Sequence, residues 1–291
     1  MNNSQLLPIS VVIPTIGTRD LKPTIDSIFS GTYIPKEVLL CIPQNQPFIL
    51  NKKYKKQNIR IIKCPEKGQV KQRIYGFENV NYDFVLQLDD DLILDSECIA
   101  ELYKRIINLG PTCAVSPQYY DISSGNHYSN LIPKEIYLFP KLYYYLLNGR
   151  DGFVEGSISK AGLNMGIKKL QTNHFSSQWL SGGCILHYKA NLILEDYLPF
   201  KGKAYAEDVI HSYKLIKSGV SLYVIKDAKA LIRCFNNGNS YINSLFEYFN
   251  SVKLTYYAAS LYSANYARFT ICMYYYIFNI IITKVYRKFI G

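Results

Sequence analysis

The sequence lacks the features that mark several classes of protein. Its 7 cysteines include no Cys-x-x-Cys pair, which argues against a zinc or dithiol redox site and favours reduced, buried thiols. The 4 histidines show no ligand spacing, and no internal repeat or low-complexity linker is present. No cationic segment followed by an apolar stretch comes after Met1, so we expect the protein to remain in the cytosol.

Acidic residues are the scarcer charged class. The 22 Asp and Glu stand against 33 Lys and Arg, which gives a net charge of +11. This excess predicts a polyanionic partner, and nucleic acid, a phosphorylated substrate and an anionic membrane surface all fit it. The basic residues are dispersed, locally dense only at 52–56, and form no recognition motif, so we expect no nucleic-acid partner.

Apolar residues alternate between strand and helix periodicity over residues 1–235. The strand-like runs are residues 9–13, 37–42, 59–63, 84–88, 113–116, 184–187 and 221–225, and the helical ones are 20–29, 69–77, 98–109 and 207–217. This alternation predicts an α/β fold with a doubly wound, mostly parallel sheet. Residues 117–178 have weak periodicity, and the sequence assigns them no structure.

Three consecutive acidic residues, Asp89, Asp90 and Asp91, follow the apolar strand at 84–88. In open α/β sheets, ligands bind beyond the carboxyl ends of the strands. Adjacent carboxylates repel and are often neutralised by a divalent cation; Asp89 and Asp91 can face one side, and their hard oxygen ligands suit Mg²⁺ or Mn²⁺. Taken alone, however, an acidic triplet is more typical of a solvated loop.

The motifs around the triplet resemble those of the family 2 glycosyltransferases. Members of that family carry a strand that ends in Val-Ile-Pro, a Gly-x-x-x-x-Arg-x-x-Gly helix, a D-x-D strand end and a later Glu-Asp. The matching positions here are Val12-Ile13-Pro14, Gly68 to Gly76 with Arg73, Asp89-Asp90-Asp91, Gly182-Gly183 and Glu207-Asp208. The resemblance covers residues 8–235 and implies a GT-A fold, with a Rossmann-like mixed, mostly parallel sheet flanked by helices.

The resemblance also implies an activity in polysaccharide biosynthesis: inverting, metal-dependent transfer of a hexose from a nucleoside-diphosphate sugar, expected to be a UDP-sugar, to a glycan or lipid-linked hydroxyl. It places Asp208 as the catalytic base beside Glu207, and it gives Asp91, with Asp89 nearby, to Mg²⁺ or Mn²⁺. The expected donor-binding residues are Pro14, Thr15, Arg73, Asp89, Asp90, Gly182 and Gly183. The indole of Trp179 could stack on an acceptor sugar, although packing in the core fits it nearly as well.

Two segments depart from the family pattern. Where members often carry Asp-Asp-Gly-Ser after the second strand, this chain has Cys41-Ile42-Pro43-Gln44, which leaves the base preference open. Where members frequently carry a histidine after the strand that follows the Glu-Asp helix, this chain has Arg233, which could contact a diphosphate directly.

Residues 236–291 form a separate, tyrosine-rich segment of helical character. No charge lies between Arg268 and Lys284, a stretch too short to predict a transmembrane helix. With Lys284, Arg287 and Lys288 behind it, the segment fits a helix in the membrane interface, which would place the enzyme peripherally on the inner face of the membrane. A helix packed on its own domain and a dimer interface fit equally well, and the oligomeric state stays open.

Two other functions are compatible with parts of the pattern. A sugar nucleotidyltransferase also uses aspartates on an α/β sheet, but it would carry a glycine-rich basic loop that residues 14–19 only partly match. A catalytically silent module that binds nucleotides or membranes would use the positive charge alone. Metal-dependent binding of a nucleoside diphosphate would count against the silent module.

Overall fold

The computed structural model describes residues 5–55, 57–128, 140–199, 203–232 and 241–290. Contacts within the chain divide it into two compact units. The first comprises Met1–Tyr128, Lys169–Ser176 and Leu180–Cys234, and the second Ser129–Lys168, Ser177–Trp179 and Phe235–Gly291. This division differs from the single boundary predicted at residue 235, because residues from the middle of the chain join the C-terminal helices.

The described residues form one ten-stranded sheet and seven α-helices. The strands are β1 (Gln5–Pro14), β2 (Tyr33–Pro43), β3 (Ile59–Cys64), β4 (Phe84–Leu88), β5 (Ile93–Leu94), β6 (Cys113–Asp121), β7 (His127–Tyr128), β8 (His174–Ser177), β9 (Cys184–Tyr188) and β10 (Ser221–Ile232). The helices are α1 (Lys22–Phe29), α2 (Gln69–Glu78), α3 (Cys98–Leu109), α4 (Pro140–Asn148), α5 (Glu207–Lys217), α6 (Tyr241–Leu261) and α7 (Tyr266–Ile290).

The sheet is mixed and mostly parallel, which confirms the predicted fold class. Its strand order is β3-β2-β1-β4-β9-β6-β10-β5, with β7 beside β6 and β8 beside β10. Strands β1 to β4 pair in parallel, and so do β6 and β10, whereas β9 runs antiparallel to its neighbours β4 and β6. The carboxyl ends of β1, β2 and β4 therefore meet at one edge of the sheet.

Helix α2 packs directly against β1 and β2 at Gly76. A Cβ at this position would lie 2.3 Å from Val12 Cγ1 and 2.6 Å from Cys41 Sγ, so a larger residue would have to displace these side chains of β1 and β2. The second glycine of the predicted motif is thus explained by packing. The close approach brings Arg73, one turn earlier in α2, to the carboxyl ends of the strands.

The second unit joins the middle of the chain to the C-terminal helices. The ring of Tyr143 in α4 stacks on that of Tyr275 in α7, with centroids 5.8 Å apart. Gly162, at φ +77°, leaves so little room that a Cβ would lie 2.4 Å from the Cβ of Ala259 in α6. Among the described helices, none combines the length and the apolar character needed to span a bilayer.

Candidate active site

A cavity of about 470 Å³ opens beyond the carboxyl ends of β1 and β4. Its walls come from the residues that follow β1, the start of α2, the acidic triplet and two residues that precede α5. They are Pro14, Thr15, Ile16, Arg19, Lys67, Gly68, Gln69, Gln72, Asp89, Asp90, Asp91, Lys203 and Ala204. The cavity therefore lies where open α/β sheets bind their ligands.

Thr15 and Gln72 tie three strand ends together at the floor of this cavity. The Thr15 hydroxyl donates to Asp90 Oδ2 at 2.6 Å, which links the end of β1 to the triplet. The Gln72 amide donates to the carbonyls of Thr15, at 2.8 Å, and of Cys41, at 2.6 Å. The Cys41 side chain is itself buried, so it offers no polar group to a ligand.

Arg73 is the centre of the buried polar network beside the cavity, with 2% of its side chain exposed. Its Nη1 donates to Glu207 Oε1 at 2.8 Å, and its Nη2 donates to Asp89 Oδ1 at 2.9 Å. Burial lowers the pKa of the guanidinium, but the negative charges of Glu207 and Asp89 outweigh it and raise the pKa above its usual value. The arginine is therefore a permanent buried cation that joins α5 to the end of β4.

Glu207 lies in the first turn of α5, and three features of its surroundings fix its position. Its Oε1 accepts from Arg73 and also from the hydroxyl of Tyr197, which is buried. Its Oε2 faces Gly182, where a Cβ would lie only 2.7 Å away, so any side chain at this position would displace the carboxylate. Ala206, at φ 52°, turns the chain sharply into the helix, a strained conformation of the kind found at functional sites.

The outer members of the acidic triplet have different surroundings. Asp89 Oδ1 accepts from Arg73 and from the Gln69 amide, the latter at 2.9 Å. Burial raises the Asp89 pKa, and the charge of Arg73 only partly offsets this effect. Asp91 instead exposes 49% of its side chain and accepts from Arg19. Asp91 is thus the carboxylate of the triplet that faces the open cavity most freely.

Asp208 is half-buried next to Glu207, and its Oδ1 accepts from the backbone N–H of Val209 at 2.9 Å. Burial, followed by the charge of Glu207, raises the pKa of Asp208 to about 7. His211, one turn along the helix, is buried, and burial together with the charge of Arg73 lowers its pKa to about 3. At neutral pH the histidine is therefore uncharged, whereas the Asp208 carboxyl can both take up and release a proton.

The oxygen ligands of the triplet are compatible with a divalent cation. The described residues contain no preformed cluster of three His, Cys, Asp or Glu side chains. However, Mg²⁺ is usually held by one or two carboxylates and completes its shell with water and substrate phosphates. Asp91 and Asp89 fit that pattern, because they offer hard oxygens at the edge of a cavity large enough for a phosphorylated ligand.

The structure brings nearly all the predicted site residues together. Pro14, Thr15 and the acidic triplet line the cavity, whereas Arg73, Gly182, Gly183, Glu207 and Asp208 lie beside it. The carbonyl of Gly182 accepts from Arg73, and a Cβ at Gly183 would lie 3.3 Å from Asp89 Oδ2. Their lack of side chains thus makes room for the carboxylates. Arg233 lies outside the described residues.

Trp179 does not match its predicted role of stacking on an acceptor sugar. Only 3% of the residue is exposed, and its indole N–H donates to the carbonyl of Met165 at 2.9 Å, within the second unit. An indole packed in this way presents no free face to a ligand. The structure therefore corrects this prediction in favour of core packing, the alternative that the sequence supported nearly as well.

Sequence reasoning missed the residues that hold the acidic groups in place. Gln69 and Gln72 share a helical face with Arg73 and Gly76, so their spacing in α2 could have revealed them. Tyr197 and Arg19 carry no such signal. They lie outside the helices, and only tertiary structure brings them to Glu207 and to the triplet.

We predict that Arg73→Met destabilises the fold by about 3–5 kcal/mol, because it removes the cation that compensates two largely buried carboxylates. Urea unfolding measures this loss. The double variant Arg73→Met/Glu207→Gln should recover part of it, since one uncompensated charge disappears. Lys71→Met, on the same helix but at an exposed ion pair, serves as the control and should change little. Wild-type stability of Arg73→Met would refute the central role of the network.

Comparisons with known proteins identify the family and the fold. The family described as Glycosyl transferase family 2 matches residues 10–161. The fold is shared with GalNAc-T7, crystallised with UDP, GalNAc and Mn²⁺, at a TM-score of 0.54 and 20% identity over 80% of this chain and 44% of that one. It is also shared with Staphylococcus aureus TarS 1-349, at a TM-score of 0.52 and 14% identity over 94% and 71%.

These structural neighbours are GT-A glycosyltransferases, so the predicted GT-A fold is confirmed. The chain spans less than half the length of the GalNAc-T7 chain. No curated protein matches the sequence. The family match nevertheless covers more than half of the 291 residues, and this chain therefore belongs to glycosyl transferase family 2.

Proposed function

We propose that the chain transfers a sugar, with inversion, from a nucleoside-diphosphate sugar to an acceptor hydroxyl. One observation carries this proposal: Arg73 joins Asp89, which lines the cavity, to Glu207, the chain neighbour of Asp208. A residue expected to hold the donor and the chain neighbour of the expected base are thereby fixed in one network. Such fixed geometry is what a displacement reaction requires.

The donor would occupy the cavity beyond β1 and β4. Its volume of about 470 Å³ falls in the range of small-molecule sites. Pro14 and Thr15 would border the base, and Arg19, Lys67 and Lys203 supply positive charge for a diphosphate. The GalNAc-T7 structure, which shares the fold, contains UDP and Mn²⁺, and on that analogy we favour a UDP-sugar.

Asp91, supported by Asp89, would bind Mg²⁺ or Mn²⁺ together with the diphosphate. When bound, such an ion offsets the negative charge that grows on the leaving group. The protein supplies the rest of the electrostatics. Arg73 holds Asp89 in place, and Thr15 holds Asp90, so these carboxylates keep their positions while the donor reacts.

Asp208 would accept the proton of the acceptor hydroxyl as its oxygen attacks the anomeric carbon. The bond from that carbon to the diphosphate oxygen breaks on the opposite face, and this single displacement inverts the configuration. Glu207, fixed by Arg73 and Tyr197, would position a hydroxyl of the donor or acceptor. We propose a glycan or lipid-linked acceptor in polysaccharide biosynthesis.

The experiment that tests this function measures the release of nucleoside diphosphate across a panel of sugar donors and acceptors, with Mg²⁺ or Mn²⁺ present. Asp91→Asn and Asp208→Asn should each lower turnover by about 10²-fold or more, the usual contribution of such groups. Asp83→Asn, which changes an exposed residue at the opposite end of β4, is the matched control. Circular dichroism should match the wild type for all three variants. Near-normal turnover in either site variant would remove that residue from the mechanism.

The pKa of Asp208 leads to a prediction about pH. Because only the deprotonated carboxylate can accept a proton, and its pKa is raised to about 7, kcat/KM should rise with pH up to about 7 and then level off. The residual activity of Asp208→Asn should lack this rise. A wild-type profile that is flat between pH 5 and 8 would contradict the assignment of Asp208 as base.

The membrane is the partner we propose for helix α7. Four apolar side chains, Ile271, Tyr274, Phe278 and Ile281, recur at helical spacing and are 49%, 70%, 52% and 39% exposed. Phe269 and Cys272 on the opposite face are buried. In the sequence, the cations Lys284, Arg287 and Lys288 follow, which suits an anionic lipid surface. We propose that this stripe rests on the inner face of the membrane.

We predict that Tyr274→Ser/Phe278→Ser lowers sedimentation of the full chain with vesicles that contain phosphatidylserine by severalfold, because it removes the two most exposed apolar groups of the stripe. Ile49→Ser, which replaces a 94% exposed apolar residue elsewhere, should bind like the wild type. Unchanged vesicle binding by the double variant would contradict the proposal. So would a change in oligomeric state in sedimentation velocity, because it would assign the stripe to a second copy of the chain.

A further inference from the structure

Arg19 is a cation of the cavity to which the family motifs assign no role. It lies shortly after β1, and its Nη1 donates to two carboxylates at once: Asp90 Oδ1, at 3.1 Å, and Asp91 Oδ2. Burial lowers its pKa, but the charges of Asp91 and Asp90 outweigh that effect and raise it. The residue is therefore charged, and it offsets the negative charge of Asp90 and Asp91.

The contact between Arg19 and the triplet is easily broken. The Arg19 side chain is 57% exposed and that of Asp91 is 49% exposed, so water can replace either partner. Exposed ion pairs of this kind contribute little to stability. Arg73 is the opposite case, because burial and two carboxylates fix its position. Of the two arginines, only Arg19 is free to change partners within the cavity.

A diphosphate would offer Arg19 a better partner than the carboxylates. The planar guanidinium matches phosphate oxygens bidentately, whereas one nitrogen of Arg19 is now shared between two aspartates. Lys67 and Lys203 line the same cavity and add positive charge around that position. A divalent cation at Asp91 would also repel the guanidinium from its present place.

We infer that Arg19 is a diphosphate-binding residue that neutralises Asp90 and Asp91 while the donor is absent and turns to the diphosphate when the donor binds. The inference rests on the proposed function, because it requires a nucleoside diphosphate in this cavity. It has a thermodynamic consequence. Since the departure of Arg19 frees Asp91, the nucleotide and the divalent cation should each strengthen the binding of the other.

The first test measures UDP and uridine binding by calorimetry. Arg19→Gln should weaken UDP binding about tenfold, as expected when a charge-assisted contact is lost, and leave uridine binding unchanged. The UDP affinity of Arg19→Lys should fall between those of the wild type and Arg19→Gln, because lysine keeps the positive charge but cannot bind the phosphate bidentately. Arg150→Gln, which removes an exposed arginine of the second unit, is the control and should bind UDP like the wild type.

The second test titrates Mn²⁺ in the absence of nucleotide. Arg19→Gln should bind Mn²⁺ severalfold more tightly than the wild type, because Asp91 loses its cationic partner. Unchanged or weaker Mn²⁺ binding would overturn the neutralising role, and wild-type or tighter UDP binding by Arg19→Gln would overturn the diphosphate contact. Failure of the wild type itself to bind UDP would instead contradict the proposed function.

Discussion

The buried guanidinium of Arg73 is the interaction on which the rest of the site depends. Asp89 and Glu207 are far apart in sequence, and their negative charges would repel each other in a low-dielectric environment. Arg73 donates hydrogen bonds of 2.9 Å to Asp89 and 2.8 Å to Glu207, and its positive charge offsets the repulsion between them. The end of β4 and the start of α5 are thus held together by a charge that cannot be removed, because arginine stays protonated at any physiological pH.

The same arrangement explains why the carboxyl groups of the site differ in character. One buried cation serves Asp89 and Glu207 and leaves the neighbouring Asp208 without a partner of opposite charge among its described hydrogen bonds. Burial and the charge of Glu207 then raise the pKa of Asp208 to about 7, the range useful for a base at neutral pH. The direct pairing of Asp89 and Glu207 with Arg73, and the weaker influence of Arg73 on Asp208, are therefore parts of one electrostatic arrangement.

The sequence predicted the elements whose pattern is local. The strand at 84–88 and the helix at 207–217 have the bounds predicted from periodicity, and Arg73 links Asp89, after the strand, to Glu207, at the start of the helix. It could not place the residues from 140 to 168, because their apolar partners lie in α6 and α7, about a hundred residues away. The stacking role predicted for Trp179 was wrong for a related reason: its indole is hydrogen-bonded to Met165, which is not a neighbour in sequence.

The three aspartates of the triplet have different partners, because their side chains point in different directions at the end of β4. Asp89 faces the buried network and pairs with Arg73, and Asp90 faces the end of β1 and accepts from Thr15, while its carbonyl accepts from Thr24 at 3.1 Å. Asp89 and Asp90 are thus each held by a part-buried hydrogen bond, whereas the bond from Arg19 to Asp91 is exposed. Only Asp91 combines high exposure with an equally exposed partner, so any ligand-dependent change at the triplet should begin there.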